Sequence, residues 1–242
     1  MILRNVFKAK GLKVVGMKVM KISDNAHQLT QWGMINAFLV EEDDGFTLID
    51  TCMGQAEAIV EAAADLRHPI VRIVLTHAHQ DHVGSLDALV KMLPAALVMV
   101  GHRELRLLRG DLTLEAIEAR FPLRGSYVES HAKVSRELDE GDKVGSLRVI
   151  ASSGHTPGHI ALLDEREGTL FAGDAWSTLG GVIPGGAMNW KFPLPAMATW
   201  NRKVALETSR KLCGLEPERL AVGHGRTVEV ATAAMKKALA QV

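Results

Sequence analysis

The segment T-H-A-H-Q-D-H, residues 76–82, carries three histidines and one aspartate within seven positions. It directly follows an apolar, β-branched run at residues 73–75, so it lies just beyond the end of a predicted strand. Imidazole and carboxylate groups are the usual protein ligands of zinc and similar divalent ions. A polar loop that caps a helix would account for a lone histidine, but not for His-x-His-x-Asp-His. The segment therefore predicts a metal site.

The spacing within this segment suits two ions. On a loop that follows a strand, alternate residues can project to one side, so His77 and His79 can share one ion. Asp81 and His82 can then reach a second ion.

Three further candidate ligands also follow β-rich runs. His155 lies in GHTPGH, Asp174 in FAGD and His224 in VGHG. Each is weak alone, because a Gly-His pair is common and an aspartate after glycine is usually a turn residue. Together with residues 76–82 they give seven ligands, enough for two metals with positions open to water and substrate.

Hydrophobic patterning predicts two similar halves within one domain that spans residues 1–242. No low-complexity segment or linker interrupts the chain, and strands followed by helices in both halves favour an α/β sandwich. The predicted strands are residues 14–22, 35–40, 46–50, 73–75, 147–151, 160–163, 169–172 and 219–222, and the predicted helices are 55–66, 83–90, 196–212 and 228–240.

Composition gives no sign of a nucleic-acid or membrane partner. Lys+Arg and Asp+Glu both total 28, so the formal net charge is zero. Arg103, Arg106 and Arg109 are interpreted as one solvated helix face rather than a basic patch. Cys52 and Cys213 cannot form a disulfide framework of the secreted kind. With no apolar signal-peptide core and no run of about 18 apolar residues, we expect a cytoplasmic protein that acts on a small molecule.

In these motifs the sequence resembles the metallo-β-lactamase superfamily, from the LIDT stretch at residues 48–51 to His224. The resemblance implies a four-layer αβ/βα sandwich with the site at one edge, between the two sheets. Asp50 matches a family aspartate that orients ligands without binding metal. The implied ligands are His77, His79 and His155 for one metal, Asp81, His82 and His224 for the other, and Asp174 as a bridge.

The resemblance also implies an activity. We expect a binuclear hydrolase in which metal-bound hydroxide attacks a small carbonyl ester, lactone or thioester, with Asp81 relaying a proton to the leaving group. The expected cofactors are two divalent ions, Zn²⁺ first, with Mn²⁺ and Fe²⁺ as alternatives. The competing hypothesis is a non-hydrolytic member, either an iron-dependent oxidoreductase of the persulfide dioxygenase kind or a ligand-binding protein. The complete ligand set favours the hydrolase.

Departures from better-known subfamilies leave the substrate open. Authentic β-lactamases similar to this fold usually have cysteine or serine where Asp174 stands. Glyoxalase II-like thioesterases carry a longer helical extension, whereas eighteen residues follow His224 here. Acyl-homoserine lactonases have a tyrosine shortly after the bridging aspartate, and the single tyrosine of this chain is Tyr127.

Pocket walls are predicted from two segments that carry tryptophan. Residues 28–34 and 176–193 are interpreted as loops beside the metals, with Trp32, Trp176 and Trp190 offering apolar faces to the substrate. His159 is expected to have a structural hydrogen-bonding role. The remaining histidines fit no motif and are interpreted as surface or satisfied polar residues: His27, His68, His102 and His131.

Overall fold

The computed structural model describes the backbone of residues 12–14 and 16–242, and side chains from residue 16 onward. Residues 1–11, on which the signal-peptide interpretation mainly depends, lie outside the described part. The strands are β1 (Leu12–Val14), β2 (Met17–Lys21), β3 (Ala26–Gln31), β4 (Ile35–Glu42), β5 (Gly45–Ile49), β6 (Ile70–Leu75), β7 (Leu97–Gly101), β8 (Arg136–Leu138), β9 (Lys143–Val144), β10 (Leu147–Ala151), β11 (Ile160–Asp164), β12 (Thr169–Phe171), β13 (Trp176–Ser177), β14 (Ile183–Pro184), β15 (Arg219–Ala221) and β16 (Val228–Glu229).

The helices flank the strands. They are α1 (Ala56–Asp65), α2 (Gln80–Val83), α3 (Leu86–Met92), α4 (His102–Leu108), α5 (Leu194–Ala198), α6 (Arg202–Cys213) and α7 (Ala231–Leu239), and a single 3₁₀ turn occupies Gly173–Ala175. None of the helices in the described part of the chain is long and apolar enough to cross a membrane.

The first sheet has eight strands that follow one another in chain order, β1 to β8. Neighbours from β1 to β5 are antiparallel, whereas β5 through β8 are parallel. The carboxyl ends of β5 and β6 therefore meet at the same edge. Asp50 follows β5 there, and the segment of residues 76–82 follows β6.

The second sheet has six strands in the order β16-β15-β12-β11-β10-β9. Strands β12 and β15 are parallel, and β10 runs in the same direction because β11 is antiparallel to both β10 and β12. The carboxyl ends of β10, β12 and β15 therefore share one edge. His155, Asp174 and His224 follow those three strands.

Three apolar clusters separate four layers. The middle cluster joins the two sheets, and in it the rings of Phe38 and Phe171 meet edge to face with centroids 5.2 Å apart. One outer cluster packs α1 and α3 on the first sheet, and the other packs α6 and α7 on the second. Each fully buried side chain of Leu or Phe size contributes roughly 1.5–3 kcal/mol. The expected four-layer αβ/βα sandwich is confirmed.

Some predicted elements differ from the structure. Residues 28–34 are not a loop throughout, because the first four of them belong to β3. Gln28 is buried there although it is polar, since its amide donates to Asn36 and to the backbone oxygen of Gly225. The alternation of apolar and polar residues that indicates a strand is therefore absent from the sequence. The predicted helix 196–212 is two helices, because Thr199 is extended and Asn201 caps α6 by accepting from the backbone N–H of Val204. The predicted helix 228–240 is shorter in the structure: residues 228 and 229 form the strand β16, and the helix α7 begins at Ala231.

The arginines of α4 do not form a basic patch. Arg103 pairs with Glu118 at 2.6 Å, and Arg106 pairs with Asp111 at 2.7 Å. Arg109 donates to the carbonyls of residues 130 and 132. These guanidinium groups are therefore used in contacts within the chain, and the side chain of Arg103 is only 12% exposed, so they form neither a basic patch nor the fully solvated helix face that was expected.

Candidate metal centre

The histidines that follow the two sheets meet at one edge of the sandwich. His77 and His79 come from the first sheet and His155 comes from the second, and all three are buried. Their ligand nitrogens lie within 4.8 Å of one another, and His79 Nδ1 is 3.0 Å from His155 Nε2. One metal ion could bind all three nitrogens.

Each of these three histidines is oriented by a hydrogen bond from its other ring nitrogen. The second nitrogen of His77 contacts Thr76 Oγ1 at 3.0 Å, and that of His155 contacts Thr199 Oγ1 at 3.1 Å. Both hydroxyls donate elsewhere, to Asp50 and to Pro195 O, so each accepts from its histidine. His79 Nε2 donates to Arg124 O at 2.8 Å. The nitrogens aimed at the shared space therefore carry lone pairs, as metal binding requires.

A second set of ligands lies beside the first. Asp81 Oδ2 is 3.3 Å from His224 Nε2 and 3.8 Å from His82 Nε2. His82 Nδ1 donates to Asp50 Oδ2 at 2.8 Å, and His224 Nδ1 donates to the backbone oxygen of Met34 at 3.1 Å. The geometry again directs one nitrogen of each ring into the shared space.

Asp174 lies between the two sets. One carboxylate oxygen, Oδ1, is 3.4 Å from His82 Nε2. The other, Oδ2, is 3.4 Å from His155 Nε2 and 3.2 Å from His224 Nε2. Ligands about 2.1 Å from a tetrahedral ion stand roughly 3.4 Å apart, so these separations suit one carboxylate shared by two ions.

Unpartnered buried atoms show that the residues present fit metal ions. His77 Nε2, His82 Nε2 and Asp174 Oδ1 are buried and have no hydrogen-bond partner. A buried polar atom without a partner is costly and rare in folded proteins. All three point at the shared space between the sets, where a divalent ion would satisfy them.

Burial and charge divide the histidines into two groups. Burial lowers the pKa of His77 and of His155 well below the usual value, which keeps both rings neutral. Burial would also lower the pKa of His224, but Asp174 and Asp81 outweigh it and raise that pKa to about 10. Ion pairs between His224 and the two carboxylates therefore contribute to the site, and a divalent ion that bound there would compete with protons for these ligands.

Two residues predicted to support the ligands do contact them or their backbone. Asp50 accepts from the backbone N–H of Thr76 at 2.8 Å and from His82, so it links β5 to both ligand sets. His159 accepts from the backbone N–H of Asp174 at 3.1 Å through Nε2, while Nδ1 contacts Ser152 Oγ at 2.7 Å. Both nitrogens of His159 are thus used within the protein.

Glu104, a fully buried carboxylate on α4, was not predicted from the sequence. It accepts from the backbone N–H of Ala78 at 2.8 Å, from Thr156 Oγ1 at 2.9 Å and from the backbone N–H of Gly158 at 3.0 Å. It therefore joins the loop of His77 and His79 to the loop of His155. The available signal was its i, i+3, i+4 spacing with Leu107 and Leu108, which places it on the buried helix face.

A cavity of about 470 Å³ opens at the ligand sets. Four candidate ligands form its floor, and one rim is Gly125 and Ser126. Apart from Gln80, the remaining lining consists of apolar side chains from three parts of the chain: Met34, Ile35, Met53, Phe192, Leu194, Pro195, Met197 and Ala198.

The prediction that tryptophans line this cavity is wrong. Trp176 is fully buried in the cluster beneath α6 and α7, whereas Trp32 and Trp190 are 66% and 87% exposed and lie outside the lining. The predicted segments do reach the cavity, but through Met34 and Phe192. Periodicity in this sequence did not reveal which side chains of an irregular segment turn inward.

Comparisons of sequence give relatives over most of the chain. A family model described as the metallo-beta-lactamase superfamily matches residues 30–224. The uncharacterized protein YobT of Bacillus subtilis (strain 168) is 42% identical, over 85% of this chain and 89% of YobT. The probable metallo-hydrolase YflN of the same strain is 30% identical, over 77% of this chain and 78% of YflN. A hydroxyacylglutathione hydrolase of Aeromonas salmonicida (strain A449) is 32% identical, over 57% of this chain and 44% of that protein.

Solved structures share the same fold. TTHA1623 in a di-iron-bound form aligns with a TM-score of 0.63 and 26% identity, over 85% of this chain and 94% of that one. A metallo-β-lactamase from Erythrobacter litoralis aligns with a TM-score of 0.68 and 20% identity, over 96% of this chain and all of that one. The family model covers well over half of the chain and the fold is consistent with it, so the chain belongs to the metallo-β-lactamase superfamily.

Proposed function

We propose that this protein is a metal-dependent hydrolase of a small carbonyl compound, an ester, thioester or lactone. The observation that carries the proposal is a pair of ligand sets that share Asp174 and face a cavity of about 470 Å³. Relatives named as a probable metallo-hydrolase and as hydroxyacylglutathione hydrolases support the reaction class.

Two divalent ions suit the donors, with His77, His79 and His155 in one set, Asp81, His82 and His224 in the other, and Asp174 between them. Zinc is the first candidate because the donors are imidazole and carboxylate groups. Manganese and iron remain alternatives, and a solved relative holds two irons. Such ions, when bound, supply an activated water at neutral pH and polarise a carbonyl oxygen.

Asp81 is the residue that we assign to proton transfer. It lines the cavity, and 31% of its side chain is exposed, whereas 4% of the Asp174 side chain is. Burial raises the pKa of Asp81, but His82 and His224 outweigh it and hold that pKa well below the usual value. The carboxylate is therefore ionised, which is the form that a proton acceptor needs, and its exposure to the cavity is the observation that supports this assignment.

The test is a panel of lactones, thioesters, aryl esters and phosphodiesters, assayed after loading with zinc, manganese or iron. We expect turnover of at least one carbonyl class, with no turnover by an Asp174→Ala variant. Turnover of phosphodiesters alone, or of nothing, would overturn the proposal. Oxygen consumption by the iron-loaded protein, without hydrolysis, would favour the oxidoreductase alternative instead.

A further inference from the structure

We propose that the cavity selects substrates whose substituents beyond the reacting carbonyl are apolar and uncharged. This inference rests on the proposed function, because it names the substrate class of the same site. Substrates with free carboxylates, such as conjugates of glutathione, should therefore be hydrolysed with a lower kcat/KM.

One wall of the cavity is apolar and fixed to the metal ligands. Met34 accepts a hydrogen bond from His224 through its backbone oxygen, and Ile35 forms a β-bridge with His224. Met53 is held by two hydrogen bonds to the Gln31 side chain, at 2.8 and 3.2 Å. Hydrogen bonds therefore fix the backbone that presents these side chains, through His224 for Met34 and Ile35 and through Gln31 for Met53.

The opposite wall is also apolar. The ring of Phe192 is 5.5 Å, centroid to centroid, from the ring of His224, so the wall begins beside a candidate metal ligand. It continues along α5 to Leu194 and Met197, which are 58% and 54% exposed. Large apolar side chains exposed at the mouth of a cavity are typical of a surface that binds an apolar ligand.

Three methionines allow the cavity lining to adapt to substrates of different shapes. Met34, Met53 and Met197 have unbranched, polarizable side chains that adapt to irregular partners. We therefore expect discrimination by polarity and length rather than by one rigid outline.

The charged groups around the cavity also disfavour an anionic substrate. Within residues 16–242, no lysine or arginine side chain belongs to the cavity lining, and its charged groups are the candidate ligands on the floor. The guanidinium of Arg202, near α5, donates two hydrogen bonds to the backbone oxygen of Ala196, from Nε at 3.3 Å and from Nη2 at 3.2 Å. A substrate carboxylate held between the walls would lose its hydration without gaining a partner, which is unfavourable.

The first experiment compares two thioesters with the same acyl group, S-octanoyl-N-acetylcysteamine and S-octanoylglutathione. The leaving thiol of the first is neutral, and that of the second carries carboxylates. With the metal-loaded protein we expect at least a tenfold higher kcat/KM for the neutral thioester. Equal values, or a preference for the glutathione thioester, would overturn the inference and leave the proposed hydrolase intact.

A second experiment measures binding without turnover. Methyl ketones of four to ten carbons are titrated calorimetrically into the metal-loaded protein. Dissociation constants should fall roughly fourfold per methylene, the gain expected for burying it. Constants that do not change with chain length would refute an apolar pocket, even if no substrate is ever hydrolysed.

A matched pair of variants tests whether the apolar ligand binds at the cavity mouth. Met197→Lys places a charge at the cavity mouth, whereas Met92→Lys places one on α3, where the side chain is 42% exposed and outside the lining. Both positions tolerate a polar side chain, and circular dichroism should show two folded proteins. We expect Met197→Lys to weaken binding of the ten-carbon ketone at least fivefold and Met92→Lys to leave it unchanged. Equal effects would contradict the placement.

Discussion

Asp174 is the residue on which both candidate metal positions depend, because its carboxylate lies close to His155 of one ligand set and to His82 and His224 of the other. His159, fifteen residues earlier in the chain, accepts a hydrogen bond from the backbone N–H of Asp174 and makes no hydrogen bond with the Asp174 side chain. The two residues therefore allow a direct test of which buried groups bind metal and which only position the loop.

We predict that Asp174→Ala and His79→Ala each lose at least one metal per chain and all turnover, since each change removes a ligand atom. His159→Ala should keep two metals and lose stability, by about 1–3 kcal/mol for the buried polar groups left without a partner. Elemental analysis and thermal unfolding measure both effects. Loss of metal from His159→Ala alone would show that the assignment of His155 over His159 is wrong.

Glu104 gives the protein a predicted pH dependence. Burial raises the pKa of Glu104 to about 7, above the usual value of 4.5. The folded state then holds a proton that the unfolded chain releases between these values, so the stability due to this group falls as pH rises from about 4.5 to 7. In chemical unfolding of the metal-free protein, Glu104→Gln should remove that slope relative to the wild type. An identical pH dependence in both proteins would contradict the role of burial.

At the scale of elements, the segment that follows α4 matters because it closes over His79. Arg124 O accepts from His79, residue 127 forms a β-bridge with residue 79, and the backbone between them passes close to the ring. Gly125 has a φ of +89°, and a Cβ there would stand 2.3 Å from His79 Nε2. Only glycine allows this close approach.

We predict that Gly125→Ala displaces His79 and lowers metal affinity at least tenfold. The control is Gly141→Ala, because Gly141 has a similar φ of +86° but no atom within 4 Å of the added Cβ. Both variants bear the strain of a left-handed alanine, about 1–2 kcal/mol, so their difference isolates the contact with His79. Metal affinity measured by competition with a chelator should change in the first variant only; equal changes would mean that strain, not contact, is responsible.

For the whole molecule, the candidate metal site joins the two halves of the sandwich. Four ligands follow β6 of the first sheet, and the other three follow strands of the second: His155, Asp174 and His224. Ions bound across this boundary would stabilise the folded chain by mass action, by about 2.7 kcal/mol at a free metal concentration one hundred times the Kd.

We therefore predict two metals per chain after reconstitution, and a loss of thermal stability of several degrees on treatment with a chelator, since about 1 kcal/mol corresponds to roughly 2–4 °C for a domain of this size. Elemental analysis and calorimetry measure the two quantities. One metal per chain in excess metal, or an unchanged Tm after its removal, would contradict a centre that links both sheets.

The α/β sandwich and the candidate ligands could be predicted from the sequence because both depend on local patterns, whereas the four-layer arrangement was implied by the family resemblance. An apolar strand followed by His-x-His-x-Asp-His specifies donors by residue type and spacing, and the later ligands each follow a β-rich run. Those patterns arise because a strand buries its apolar side chains and exposes polar ones at its end, a property that neighbouring residues define.

The cavity wall and the hydrogen-bond partners of Glu104 could be identified only from the tertiary structure. Tryptophans near the site in sequence lie outside the cavity lining, because Trp176 packs beneath α6 and α7 while Trp32 and Trp190 remain at the surface. Glu104 reaches the loops of both sheets only when α4 packs between them. Side-chain direction in irregular segments and contacts between distant elements follow from packing across the whole chain, which no local spacing encodes.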